Sequence, residues 1–356
     1  MKPNWPILLA GLLSFEALAD EPPATPHFGL FVDTYYAFDA NQPANRERPF
    51  TTLPTRHNEF ALNLAYVEGT IASDRWRGRL ALQTGTSVYA NYASELRDPA
   101  KNGAQLADLL QHVQEAVAGY RIAEGLWIDG GIYFSHIGSE GFISRDNWTY
   151  TRSLIADFSP YYQAGVRLSY EPNPQWAFQL HVLNGWQNIL ETNSEKALGT
   201  QVTFKVSPDL TITHNGFVGR ESELRIFQDL IVKYRISHQW ETVLTVDFGL
   251  QRRPGQDAFA SWYGTSFQNR FRWNADTHFA FRLENYSDPE GVIAPTNTMN
   301  GFQVLGVSAN LDRQLTMGLT WRTEVRWLHS RDAIFPSDTV TKTDTVFGVS
   351  SLALSL

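Results

Sequence analysis

The sequence predicts an all-β chain that forms a single transmembrane antiparallel up-and-down β-barrel, and three observations carry this prediction. Apolar and polar residues alternate with a period of two, in one run after another, from residue 27 to the C-terminus. Each run has about 10 to 15 residues, the length that a tilted strand needs to cross a bilayer. Short and long connections alternate between the runs, which is typical of barrels with short periplasmic turns and longer outer loops.

The first residues have the pattern of a secretory leader. Lys2 precedes an apolar run over residues 5–15, and small residues follow it. This order predicts a signal peptide over residues 1–19, and export to the outer membrane after its cleavage. No later stretch contains the roughly 18 apolar residues of a membrane-spanning helix. Since no linker divides the remaining chain, we expect one barrel domain over residues 20–356.

Composition disfavours several classes of function. The chain has no cysteine, which excludes disulfides and thiolate metal sites. The net charge is −8, so nucleic acid is not an expected partner. Because the sequence has no convincing metal-ligand spacing, phosphate-binding glycine loop or dinucleotide motif, we expect no cofactor.

Two strands show the alternation most clearly. The first has an apolar face made of Trp176, Phe178, Leu180 and Val182. Its opposite face carries Gln179 and His181. In the second strand, charged residues alternate with an apolar face from residue 321 to 327, and they are Arg322, Glu324 and Arg326. A soluble core could not accept that charged face, although a β-sandwich with one solvated face is the soluble alternative.

The connections give the strand count. Short turns are predicted near residues 73–74, 123–125, 172–174, 207–209, 238–239, 274 and 312–314. Longer connections are predicted at residues 41–55, 91–104, 139–159, 187–195, 220–223, 252–257, 287–300 and 331–342. They join about sixteen strands, an even number that matches bacterial outer-membrane barrels. Because the boundaries of the fourth, ninth and tenth strands are weak, fourteen or eighteen strands stay open as alternatives.

Aromatic residues make up 13% of the chain, and girdles at the two lipid–water interfaces explain this excess. Trp176 and Trp186 are ten positions apart on one predicted strand face. Their separation along the membrane normal would be about 25 Å, the height of the lipid-facing band. The girdle candidates are Trp127, Tyr162, Tyr170, Trp176, Trp186, Trp240, Trp262, Trp273 and Trp327.

Polar residues near the strand centres are expected to line a water-filled lumen. An arginine on the lipid side at mid-bilayer would cost about 2–4 kcal/mol, so such residues must face inward. The candidates are Glu59, Asn63, Arg79, Gln83, Arg167, Gln179, His181, Lys233, Asp247, Arg282, Glu284, Arg322, Glu324 and Arg326. The arginines among them favour anions weakly, and the alternative is that most of these residues form salt bridges that hold the wall.

One segment departs from the strand pattern. Leu106, Leu109, Leu110 and Val113 have the spacing of one helix face. A short helix near residues 104–113 would either fold into the lumen and narrow it or cap the surface. A continuous fourth strand is the third alternative.

Five ordered pieces of sequence carry a family resemblance. They are QEAVAGY at 114–120, IDGGIYFSHIGSEG at 128–141, NWTYTRSL at 147–154, SPYYQAGVRLSY at 159–170 and LNGWQN at 183–188. In this order they resemble the OmpL-like outer-membrane β-barrel porin family. The resemblance implies a passive channel, and it brings no site residues to carry over.

The expected function is therefore a porin, in which small hydrophilic solutes or ions diffuse through a barrel surrounded by outer-membrane lipid. A non-conducting barrel that acts as receptor, adhesin or structural anchor is the alternative, and it requires a lumen filled by packed side chains. An enzyme is disfavoured because the adjacent residues His214 and Asn215 would point to opposite faces of a strand. A homo-oligomer, such as a trimer, is expected by fold analogy only.

Overall fold

Sixteen strands form a closed antiparallel barrel in the computed structural model, which describes residues 24–93, 95 and 103–356. Each strand pairs with its neighbours in the chain, and the first strand pairs with the last. The predicted fold class and the count of sixteen are confirmed, and the soluble sandwich is wrong. The leader predicted over residues 1–19 lies outside the described residues.

The barrel strands are 8 to 15 residues long. They are β1 His27–Asp39, β2 Glu59–Ala72, β3 Trp76–Thr84, β4 Val113–Ala123, β5 Leu126–Phe134, β6 Tyr162–Asn173, β7 Trp176–Leu183, β8 Ala197–Lys205, β9 Leu210–Arg220, β10 Leu224–Arg235, β11 Trp240–Arg252, β12 Phe259–Arg272, β13 Thr277–Asp288, β14 Phe302–Thr316, β15 Leu319–Ser330 and β16 Asp344–Ser355. A two-residue ribbon outside the barrel pairs Phe335–Pro336 with Thr341–Lys342.

Helices are few and short. In the described part of the chain they are α1 Thr86–Asn91, α2 Gly103–Leu110, α3 Leu154–Asp157 and one 3-10 turn, Ser144–Asp146. Among the described residues, none of them is long and apolar enough to cross a membrane. The helix expected near residues 104–113 is α2, with Leu106 and Leu109 exposed, and β4 follows it from Val113.

The connections alternate in size with one exception, residues 221–223, a predicted longer connection that has only three residues; the short ones on the other side lie at residues 73–75, 124–125, 174–175, 206–209, 236–239, 273–276 and 317–318. The last of these corrects a prediction, because residues 312–314 continue β14 instead of turning. Asp312 there forms an ion pair of 2.7 Å with Arg322 on β15. The turn itself uses Gly318, whose φ of +79° is a conformation that glycine adopts without strain.

Side chains alternate between the lumen and the outer surface along the barrel strands. On β7, Phe178, Leu180 and Val182 are exposed on the outer surface, whereas His181 is fully buried inside. On β15, the buried inward residues are Arg322, Glu324 and Arg326. The alternation predicted for both strands is confirmed, and the outer surface of the barrel is a predominantly apolar band.

The long connection between β5 and β6 folds into the lumen, and we call its residues 135–161 the inner loop. Its backbone N–H groups donate hydrogen bonds to wall carboxylates on three strands. The N–H of Gly138 donates to Asp229 on β10 at 2.8 Å, and the N–H of Leu154 donates to Glu284 on β13 at 2.7 Å. The N–H of Thr151 donates the third bond, to Glu324 on β15 at 2.6 Å. The inner loop therefore crosses the lumen, and a narrowing of the lumen by α2 stays a prediction.

We expect the folded chain in detergent to migrate differently on a denaturing gel before and after boiling. A closed barrel has no edge strand at which detergent can open the hydrogen-bond ladder without heat. Gel migration of unboiled and boiled samples measures this directly. Identical migration, together with solubility in the absence of detergent, would contradict the barrel.

Candidate functional site

A network of buried charges joins the inner loop to the wall formed by β13 and β15. Arg282 lies 3.3 Å from Glu284 and 3.4 Å from Glu324, and it donates a 2.6 Å hydrogen bond to the carbonyl of Thr151 in the loop. Arg326 approaches Glu284 within 2.8 Å. Buried charges are tolerated only when they are paired and hydrogen-bonded, so wall and loop depend on each other here.

A second set of contacts holds the 3-10 turn of the inner loop. Arg322 donates hydrogen bonds to the carbonyls of Ser144 and Asn147, the latter at 2.8 Å. Asp33 of β1 accepts a 2.7 Å bond from the hydroxyl of Ser144 in the same turn and a 2.7 Å bond from the Asn63 amide. The turn is therefore fixed between the first and fifteenth strands.

Glu140 stabilises the inner loop from within. Its carboxylate accepts the backbone N–H of Ser153 at 3.0 Å and lies 3.7 Å from Arg282. Burial raises the pKa of the Glu140 carboxyl above its usual range, and the Arg282 guanidinium opposes that effect. The carboxyl group thus connects the two ends of the loop segment that crosses the lumen.

Two carboxyl side chains face each other on neighbouring strands. Asp229 of β10 is directly opposite Asp247 of β11, and both are buried. Asp229 accepts a 2.7 Å bond from the amide of Asn215, in addition to its bond to the inner loop. Among the described residues, no group of three or more histidine, aspartate or glutamate side chains could hold a metal ion.

The strand registers place all fourteen pore-lining candidates on the inward face of the barrel. Nine of them are buried, with exposures of 5% or less: Asn63, Gln83, His181, Asp247, Arg282, Glu284, Arg322, Glu324 and Arg326. The other five keep partial or full exposure: Glu59, Arg79, Arg167, Gln179 and Lys233. The expectation of water-facing side chains is thus corrected for the nine, because loop and neighbouring wall atoms cover them.

Three of the nine girdle candidates face the lumen, which corrects the prediction for Trp127, Trp186 and Trp262. A fourth, Tyr162, is corrected as well, because it is buried and its ring stacks 4.1 Å from that of Tyr92. Trp186 lies beyond the end of β7, where strand alternation no longer sets its side, and its ring packs 4.9 Å from Phe217. The two tryptophans therefore do not mark the two edges of the lipid-facing band, and the separation predicted for Trp176 and Trp186 is not a measure of its height. The candidates that lie at the outer surface are Tyr170, Trp176, Trp240, Trp273 and Trp327.

His214 and Asn215 point to opposite sides of β9, as expected. Asn215 faces inward and bonds to Asp229, while His214 is exposed on the outer surface between Val202 and Leu230. The two side chains cannot converge on one substrate atom.

Two cavities lie on either side of the inner loop. One, of about 190 Å³, is on the short-turn side, and Trp148, Thr213 and Lys233 are among its lining residues. The other, of about 280 Å³, is on the long-connection side, and its lining includes Trp186 and Arg225. Sequence reasoning missed Arg225, although the alternation of β10 places it inward, because it lies at the second position after a predicted connection, away from the strand centre.

Comparison with known proteins agrees with this geometry. The family model described as "Putative beta-barrel porin-2, OmpL-like" matches residues 26–356. No curated protein matches the chain in sequence.

Three solved structures have a similar fold, with identities of 10% or less. The trimer form of OmpT from Vibrio cholerae has a TM-score of 0.60 at 10% identity, covering 94% of this chain and 99% of that chain. The channel DcaP of Acinetobacter baumannii has a TM-score of 0.61 at 8% identity, with coverages of 95% and 99%. The anion-selective porin of Comamonas acidovorans has a TM-score of 0.58 at 8% identity, with coverages of 94% and 100%.

We expect Glu284→Gln to lower the temperature at which the folded gel band converts to the unfolded one. Arg282 and Arg326 would lose a shared buried carboxylate, and breaking a buried pair costs about 3–5 kcal/mol. The control is Glu290→Gln, which removes an exposed partner of Arg253 and should leave the transition unchanged. Equal transitions for both variants would show that the buried network does not stabilise the barrel.

Proposed function

We propose a channel function for this chain, which belongs to the OmpL-like family of β-barrel porins. Small hydrophilic solutes or ions would diffuse passively through the barrel, with no chemical turnover. The observation that carries this proposal is a sixteen-stranded barrel whose polar inward face is crossed by one loop, with a cavity on each side of it. A barrel of this strand number is wide enough for an aqueous interior.

The inner loop would set the size of the solute. Its residues Thr149, Thr151 and Ser153 are fully buried against the wall at the height of the charged network. Only the space left beside the loop can serve as a passage, so the proposed channel is narrow and excludes large solutes. Hydrogen-bond donors and acceptors on loop and wall would replace part of the hydration of a passing solute.

The preference for anions needs a different basis from the one that the sequence suggested. The predicted lumen arginines are compensated by carboxylates, for example Arg326 by Glu284 and Arg167 by Asp129. Each such pair contributes little net potential to the lumen. The arginine excess on the strands therefore does not support anion selectivity.

Lys233 of β10 supports anion selectivity instead. Its ammonium group lies on the short-turn cavity, 5.6 Å from the centre of the Trp148 ring. No carboxylate in the described part of the chain lies within ion-pair distance of it, and the nearby Glu241 is paired with Arg270. We infer that this uncompensated positive charge attracts anions to one entrance of the passage.

A non-conducting barrel is the second candidate function, and the burial of nine predicted lumen residues favours it. In that case the inner loop is a plug, and the long connections would serve as the receptor, adhesin or anchoring surface. In either case the barrel lies in the outer membrane, and we propose that a leader over residues 1–19 exports it. Assembly into a homo-oligomer such as a trimer is also a proposal, supported by the trimer form of one structural neighbour.

We expect purified, folded chain to produce conductance steps in a planar lipid bilayer. Replacing residues 140–157 with a short Gly/Ser link should raise the conductance several-fold, because the segment that crosses the lumen is removed. The control replaces residues 337–340, at the tip of the outer ribbon, and should leave the conductance unchanged. Steps seen only after removal of the inner loop would reject the porin in favour of the plugged barrel.

We expect Lys233→Gln to lower the anion-to-cation permeability ratio, because it removes a positive charge without an ion-pair partner from the short-turn cavity, where Glu140 and Asp146 are paired with Arg282 and Arg145. Reversal potentials in a salt gradient measure this ratio. Lys342→Gln, in the outer ribbon, is the control and should not change it. A cation-preferring wild type, or a ratio that is equal in both variants, would contradict the proposed selectivity.

A further inference from the structure

Arg225 differs from the other buried arginines of the barrel. It is 9% exposed, and its Nε and Nη2 both donate to the side-chain oxygen of Gln251, at 2.9 and 2.7 Å. Gln251 is a neutral partner, whereas Arg282 and Arg322, for example, lie within 3.4 Å of carboxylates. Within the described residues, the third nitrogen, Nη1, has no hydrogen-bond partner, and no carboxylate lies at ion-pair distance.

Two carboxylates influence Arg225 electrostatically from farther away, and both are engaged elsewhere. Glu221 accepts the backbone N–H of Trp186 at 2.6 Å. Asp288 accepts the backbone N–H groups of residues 292–294 at 2.7 to 2.9 Å. These carboxylates hold the long connections in place and leave the guanidinium without a direct counter-ion.

The cavity beside Arg225 has one apolar and one polar part. The rings of Trp186 and Trp262 lie 5.2 and 5.7 Å from the guanidinium carbon and fix its position. Trp186 also lines the cavity, together with the apolar side chains Phe158, Val292 and Ile293. A planar or short apolar group would be in contact with this wall.

The polar part of the cavity contains atoms that lack partners. The hydroxyl of Tyr161 and the Oδ2 of Asp157 are buried and make no hydrogen bond within the described structure. Asp157 is balanced by Arg152, whose Nε is 3.5 Å away. Since this pair is neutral overall, Arg225 carries the uncompensated charge of the cavity lining.

We propose that this cavity binds small organic acids. The carboxylate of the ligand accepts a hydrogen bond from Nη1 of Arg225, and its apolar body lies against Trp186 and Phe158. A charge-assisted bond to a buried guanidinium is strong, and the half-open cavity, with a volume of about 280 Å³, admits a body of the size of one aromatic ring. This site names a solute class for the proposed porin and in that respect rests on the proposed function.

Equilibrium binding of benzoate to the folded full chain in detergent, measured by calorimetry, tests the site without requiring conduction. We expect saturable binding with a Kd on the order of 1 mM or below. Benzamide, the neutral analogue, should bind about tenfold more weakly than benzoate. The substitution Arg225→Gln should lower the affinity for benzoate by about tenfold or more. Arg235→Gln is the matched control, because Arg235 lies at the exposed end of the same strand.

A second variant protects the test against misfolding of Arg225→Gln. Gln251→Glu keeps the shape of the partner and supplies Arg225 with a carboxylate, so it should also abolish benzoate binding. The site is refuted by equal affinities for benzoate and benzamide, by undiminished binding in the two variants, or by a wild type that does not bind. A chain that conducts without binding benzoate refutes this site alone, whereas a chain that binds benzoate without conducting refutes the porin.

Discussion

The need to satisfy every backbone hydrogen bond inside lipid determines this structure. A bilayer core offers no water to an unpaired N–H or C=O, so a chain of strands can cross it only as a closed ring. Pairing of β1 with β16 closes that ring and removes both edges. Once the ring is closed, the two faces of each strand are in different solvents, and the period-two pattern of the sequence follows from that difference.

The interior meets a second requirement, which is that buried charge needs partners. The wall presents arginine and glutamate side chains toward a lumen that is largely filled with protein, and the inner loop supplies the hydroxyl, carbonyl and N–H groups that complete their bonding. Thr151 alone bonds to Glu324 through its backbone and its hydroxyl, and to Arg282 through its carbonyl. Wall and loop are therefore one polar core, in place of the apolar core of a soluble protein.

Sequence reasoning identified the wall but not its contents, and the difference has a physical cause. Alternation depends on two solvents on opposite faces, so it marked Arg322, Glu324 and Arg326 as inward. The alternation does not indicate whether water or a loop contacts those side chains, because either can supply hydrogen-bond partners to a charged group. The same limit applies to Trp186, which lies outside a regular strand, and to Trp262, where an aromatic ring fills the space above Gly249 inside the barrel.

The contacts of the inner loop have a mechanical consequence. They reach β1, β13 and β15, which lie within five consecutive strands of the ring, and also β10, which is seven strands away from β1. A hollow cylinder of strands resists flattening only through the bending stiffness of its sheet. A loop that is bonded to separate parts of the wall adds a direct resistance to flattening, because its bonds would have to be stretched or compressed. Lateral pressure from the bilayer would then be carried across the lumen through short hydrogen bonds, and the cross-section of the barrel would keep its shape under load.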